Sequence, residues 1–200
     1  LRNRDYNYAR SDFDRRHALQ GYFVYELPFG TGRRFGSDAG GALDKLIGGF
    51  EIAGILRLYS GRPFTVFSGI NTVSNVLQSP VSCNGCTPDM GQLVLENGRN
   101  VFFTAEQRAL FFAPPAGELG DTGRNFFTGP TLFQLDLTLG KKIRFDESRN
   151  IEIRVEAQNA TNTPSFGFPT AVLSSSALGQ VGGGVVSGSR KVQLAAKFNF

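Results

Sequence analysis

A chain of 200 residues can bury a core of its own, and hydrophobic residues at 40% with charged residues at 19% fall slightly below a typical soluble domain. Lys and Arg number 21 against 17 Asp and Glu, and this +4 balance is spread along the chain, which argues against a basic arm or patch for nucleic acid. Two Cys and one His leave almost no material for a metal site or a Cys–His catalytic pair, so no metal, cofactor or catalytic set is expected.

The sequence opens on Leu1, and its one Met is Met90. No charged segment leads into an apolar one, so no signal peptide is expected, and the chain reads as a piece of a longer protein. No apolar run approaches 18 residues, which excludes a membrane-spanning helix. A membrane-spanning β-strand needs only about 9–11 residues of alternating character.

Alternation of that kind recurs along the chain. Over 16–28, Leu19, Phe23, Tyr25, Leu27 and Phe29 oppose Gln20, Tyr22 and Glu26. GALDKLIGG follows, and its Leu43, Leu46 and Ile47 predict one amphipathic helical turn. Over 48–60, Phe50, Ile52, Leu56 and Leu58 oppose Glu51, Arg57 and Tyr59. A long connection, 61–130, leads to the strand 131–145. There Phe133, Leu135, Leu137, Leu139, Ile143 and Phe145 share a face opposite Gln134, Asp136, Thr138, Lys142 and Arg144. Lys141 falls on the apolar side, so either it snorkels or Gly140 marks a bulge. Asp146, Glu147, Ser148 and Arg149 make a tight turn into 150–160, where Ile151, Ile153, Val155 and Ala157 alternate with Glu152, Arg154, Glu156 and Gln158. After a Gly-, Ser- and Thr-rich connection, 161–188, the last strand spans 189–200. It sets Val192, Leu194, Ala196, Phe198 and Phe200 against Lys191, Gln193, Lys197 and Asn199.

These five long strands predict an all-β fold, an antiparallel up-and-down meander. In that arrangement Phe29, Phe50, Phe145 and Phe200 fall at one end of the apolar face, as a membrane interface selects. Tyr59, Phe64 and Phe133 are candidates for the opposite girdle. A soluble sandwich would cover the apolar face with a second sheet, yet five strands of one-sided character leave none to do so. Eleven residues tilted near 40° cross roughly 28 Å, close to the hydrocarbon thickness. Membrane barrels begin at about eight strands, so the five strands read as part of a larger transmembrane β-barrel.

The candidate chemistry is thin. Cys83 and Cys86 form a C-x-x-C in the long connection. Half a zinc site, a redox pair and unpaired thiols are possible readings, and a structural disulfide is preferred. Gly30–Gly36 superficially resembles a phosphate loop, but its spacing fits none, and a turn is expected. Asn159-Ala160-Thr161 is a formal glycosylation sequon of little weight at a bacterial strand end. Glu51, Arg57, Asp136, Lys142, Arg144, Glu152, Arg154, Glu156 and Lys197 share the polar face, the lumen side of a barrel. Glu152 and Glu156 could suggest acid–base work, but Arg154 between them favours a ladder of cross-strand ion pairs. The pairs Phe102-Phe103, Phe111-Phe112 and Phe126-Phe127 are expected to pack within their loop.

RSDFDRRHALQGYFVYELPFGTGRRF and LIGGFEIAGILRLYSGRPFTV resemble late barrel strands of TonB-dependent outer-membrane transporters, specifically the Oar-like group with a carboxypeptidase-regulatory-like domain. The likeness continues through GELGDTGRNFFTGPTLFQLDLTLGKKIRF and IEIRVEAQNATNTPSFGFP to RKVQLAAKFNF. The resemblance implies a 22-strand barrel in the outer membrane of a Gram-negative-type bacterium, with a plug and TonB box upstream. It further implies active uptake of an unidentified substrate, driven by the inner-membrane TonB complex. Phe198 and Phe200 would end the strand read by the outer-membrane assembly machinery, and 61–130 and 161–188 would be extracellular loops. Two other readings of the sequence are a soluble carbohydrate-binding module and a non-transporting barrel such as an adhesin or porin.

Overall fold

The computed structural model describes residues 7–73, 78–146, 148–182 and 185–200. The chain folds as two compact units. One comprises Leu1–Ala18, Tyr59–Leu132 and Ser165–Val186, and the other Leu19–Leu58, Phe133–Pro164 and Ser187–Phe200.

The second unit is built on a five-stranded sheet whose neighbours follow chain order: β1 (Ala18–Glu26), β2 (Phe50–Tyr59), β3 (Leu132–Arg144), β4 (Asn150–Gln158) and β5 (Lys191–Asn199). This is the up-and-down meander. Antiparallel pairing of β4 with both neighbours sets Val155 beside Leu139 and Leu194, and Ile153 beside Lys141 and Ala196. Hydrogen bonds from Leu27 N–H to Phe50 O and from Ser60 N–H to His17 O fix β1 against β2 in the same antiparallel sense. Lys142 N–H donates to Gly49 O and ties β2 to β3.

These registers carry one apolar row set across the sheet, because side-chain period two preserves the face wherever pairing is unbroken. Gly54 lies at its centre. A Cβ there would come within 2.5 Å of the Phe23 ring and 2.9 Å of Leu137 Cδ2. The missing side chain is the space into which a β1 and a β3 residue lean. Leu135, Leu137, Ile153, Val155, Leu194 and Phe198 all lie on this face, and none is buried. Leu194 is 73% exposed. Among the described residues, no second sheet of this unit covers them.

Pairing runs through Arg154–Gly140 and Ile153–Lys141 without an extra residue, so Gly140 makes no bulge. Lys141 stays on the apolar face, and its ammonium group turns back over the Phe50 ring at 4.1 Å and bonds Leu46 O at 3.0 Å and Gly48 O. The aliphatic stem covers apolar surface while the charge reaches carbonyl oxygen.

The strands are shorter than the sequence pattern implies, with 9, 10, 13, 9 and 9 residues. Backbone chemistry trims them. Pro28 has no N–H to extend β1. Before β2, Gly49 has φ +70°, and a Cβ there would run into Lys142 O. Asn159 takes φ 49° and stops β4. Nine residues at barrel tilt still rise roughly 23 Å, against an apolar band of about 25 Å.

The connection from β1 to β2 contains helix α1 (Gly41–Ile47), the predicted helical turn. At the same sheet edge Asp146 Oδ1 accepts the N–H groups of Ser148 (3.1 Å) and Arg149 (2.7 Å) and closes the β3–β4 turn. Glu147 of that turn lies outside the described residues.

The two long connections supply the other unit, which has its own core. Phe64, Val66, Val81, Phe102, Phe103, Phe111, Phe127, Leu178 and Val181 are buried there together with Cys83. Phe103 meets Phe111 at 5.2 Å and Phe127 at 5.4 Å, both edge-on, a geometry worth about 0.5–1.5 kcal/mol per pair beyond burial. The expectation that Phe64 joins a membrane girdle is therefore corrected. It is buried in this core, 6% exposed, against Phe127. Helix α2 (Ala105–Arg108) begins on a capping box between Thr104 and Gln107.

Candidate functional site

On the polar face of the sheet the charges are grouped by register. Arg57 pairs with Asp136 across β2 and β3 at 3.2 Å. Asp136 also accepts both Gln134 Nε2 contacts at 3.0 Å and the backbone N–H of Asn159 at 2.9 Å. Glu152 lies opposite Lys142 on one side and Lys197 on the other. It approaches Lys142 and the same-strand Arg154 at 3.6 Å each. Glu156 faces Thr138 and Gln193, and Glu51, also on β2, is exposed. The structure thus brings Arg57 to Asp136, and Lys142 and Arg154 to Glu152. It sets Glu152 and Glu156 roughly 13 Å apart along one strand, with Arg154 between them. Glycosidase-type carboxyl pairs lie within about 9.5 Å. The arrangement pairs charges along the polar face, Arg57 with Asp136 and Glu152 with Lys142 and Arg154.

Asn159 is the residue that sequence reasoning passed over. It is buried, and its Nδ2 donates to Thr163 O (3.1 Å) and Gly188 O (2.7 Å), while its Oδ1 accepts Thr163 N–H (3.1 Å). With the Asp136 bond, one side chain and one N–H tie β3, the end of β4 and the approach to β5. Both Nδ2 hydrogens are engaged, which leaves none for a glycan. The signal in the sequence was an Asn able to adopt the left-handed conformation immediately after a strand.

In the other unit Cys83 and Cys86 are joined as a disulfide, with Cα atoms 5.7 Å apart. Cys83 belongs to the two-residue strand Ser82–Cys83, which pairs with Phe111–Phe112, and its N–H donates to Asp121 Oδ1 at 3.0 Å. The bond sits against the Phe core. Among the described residues no cluster of three His, Cys, Asp or Glu could hold a metal ion. Phe102, Phe103, Phe111 and Phe127 pack inward as expected of loop packing, and Phe112 is exposed. Arg124 pairs with Asp12 at 2.9 Å, and Asn125 Nδ2 donates to the same carboxylate at 2.6 Å. These contacts, the Asn125 amide foremost, hold the Asp12 carboxyl below the ordinary range.

Gly30–Gly36 forms a turn. Gly30 N–H and Phe35 O bond at 2.9 Å, and Arg33 reaches back to Glu26 at 2.5 Å. Thr31 N–H donates to Asp44 Oδ1 at 2.6 Å, the main reason the Asp44 carboxyl is held low. At this edge Phe29, Phe145 and Phe200 are exposed, and Phe198 stacks on Phe200 with centroids 5.8 Å apart.

An antiparallel meander with one exposed apolar face, one charged face and aromatics at one border defines the wall of a membrane β-barrel. In keeping with this, the chain belongs to the outer membrane β-barrel domain family, whose model matches residues 1–193. Its location is the outer membrane of a Gram-negative-type bacterium, where it associates with membrane lipid. The reading as a soluble carbohydrate-binding module is withdrawn on that finding. Comparisons with curated proteins and with solved structures gave no match.

Proposed function

We propose that the chain is the C-terminal barrel segment of a TonB-dependent receptor that takes up a scarce substrate from outside the cell. The observation that carries this reading is the core built by the long connections. Both connections leave the same edge of the sheet, opposite the short β3–β4 turn, and in outer-membrane barrels short turns are periplasmic and long loops extracellular. A passive pore has no need of long connections that fold around a core of buried phenylalanines with a disulfide of their own. A receptor uses such a unit as a rigid platform for capture. The sequence likeness to Oar-like transporters points the same way. In this reading the polar face lines a lumen occupied by a plug from upstream sequence, and the segment performs no catalytic step.

The intact protein tests this. Reconstituted in planar bilayers in KCl it should show no steady conductance, and it should retain the periplasmic domain of TonB in a binding assay. A steadily open pore without TonB binding favours a porin and overturns the proposal. A closed barrel that does not bind TonB favours an adhesin and overturns it equally. The same reading makes Phe200 part of an assembly signal. Deleting Phe200 should lower the folded, heat-modifiable protein in the outer membrane, and unchanged levels would remove that role.

A further inference from the structure

The connection between β1 and β2 is unusual for the short-turn side of such a barrel, because it holds a folded helix. Helix α1 is amphipathic, yet its apolar residues are not spent on a core. Leu46 is 71% and Leu43 53% exposed, and no residue of the helix is buried.

The helix is tied to the lipid side of the sheet. Lys141 projects from the apolar face, and its Nζ bonds the carbonyl oxygens of Leu46 and Gly48 at the C-terminal end of α1. Lys45 Nζ lies 5.3 Å from the centre of the Phe145 ring, which extends the apolar face of β3. The connection is also pinned from within. Asp44 Oδ1 accepts Thr31 N–H, Gly48 N–H donates to Asp44 O at 2.8 Å, and the Phe29 and Phe35 rings meet at 5.6 Å. The helix is therefore held at the border where the exposed aromatics Phe29, Phe145 and Phe200 stand, continuous with the surface that faces hydrocarbon.

From this placement we propose that α1 is an interfacial helix that lays Leu43 and Leu46 into the phospholipid of the periplasmic leaflet. Lys45 and Arg34 then stand at headgroup level, where their charges meet lipid phosphate. Arg34 stays close to the same border, 5.6 Å from the Phe35 ring. A helix of seven residues is too short to bind a membrane alone. Here the barrel supplies the attachment, and the helix widens the apolar belt on one side. The inference rests on the lipid-facing assignment of the sheet and on loop length for its sidedness. It does not depend on transport.

The experiment uses the intact protein in cells, with the photocrosslinker p-benzoylphenylalanine placed in turn at positions 43, 46, 194 and 26. Position 194 is the lipid-facing control, and position 26 lies on the polar face. Heat-modifiability of each variant confirms insertion. The expected result is a phospholipid adduct at 43, 46 and 194 and none at 26. A protein adduct at 43 and 46, or no adduct there while 194 is labelled, overturns the proposal. A lipopolysaccharide adduct at 46 places the helix in the outer leaflet and overturns its sidedness.

Discussion

The backbone N–H of Asn159 donates to the carboxylate of Asp136, at 2.9 Å, across a separation of 23 residues. Asp136 is held from β2 by Arg57, and Asn159 bonds the backbone at Thr163 and Gly188. A charge pair on the polar wall is thereby joined to the point where the chain leaves the sheet and to the point where it returns.

Replacing Asn159 with Ala should therefore destabilise the intact protein by about 1–3 kcal/mol, since it removes the buried amide and its three hydrogen bonds to the backbone of Thr163 and Gly188. Thr161→Ala removes the sequon equally but should stay within about 0.5 kcal/mol. Urea unfolding of both variants, followed by heat-modifiability on gels, makes the comparison. Equal losses in the two would contradict the structural role of Asn159.

Leu137 and Thr138 are adjacent in β3 and face opposite sides. Leu137→Arg places a charge in hydrocarbon near mid-strand and should cost about 2–4 kcal/mol, whereas Thr138→Arg faces the polar wall and should cost far less. Folding yields into vesicles read the difference, and equal yields would reverse the facing assignment.

Gly54 is predicted to be intolerant for a reason other than backbone freedom. Gly54→Val drives a side chain into the Phe23 ring and Leu137, an overpacking cost of about 1–3 kcal/mol. Phe23→Ala in the same protein should restore most of the loss. Additive losses in the double variant would show that the two positions do not share the space.

The β3–β4 turn should respond to acid. The Arg149 side chain, foremost, and the N–H groups of Arg149 and Ser148 hold the Asp146 carboxyl below its ordinary range. A carboxylate depressed in the folded state contributes stability above its unfolded value, near pH 3.9, and loses it as pH falls through the folded value. The carboxyl resonance of Asp146 should titrate below the range of exposed aspartates, and Asp146→Asn should abolish the acid-side change in the turn. A midpoint at the ordinary value would show the contacts are absent in solution.

The sequence by itself determined the meander, its five strands to within a few residues, and which residues make its apolar and its polar face. Alternation is a local property, and period two reports the face of each residue without knowledge of its neighbours. It also located α1, through Leu43, Leu46 and Ile47, and the resemblance anticipated membership of an outer-membrane barrel family. The tertiary structure decided what depends on contacts between distant residues. Register showed that Lys141 snorkels and that Gly140 makes no bulge. Packing among residues far apart in the chain buried Phe64 against Phe103 and Phe127 in a core of the long connections. Asn159 looked like a weak sequon because its partners are Asp136, Thr163 and Gly188, and no local pattern reveals which distant backbone groups a buried amide must satisfy.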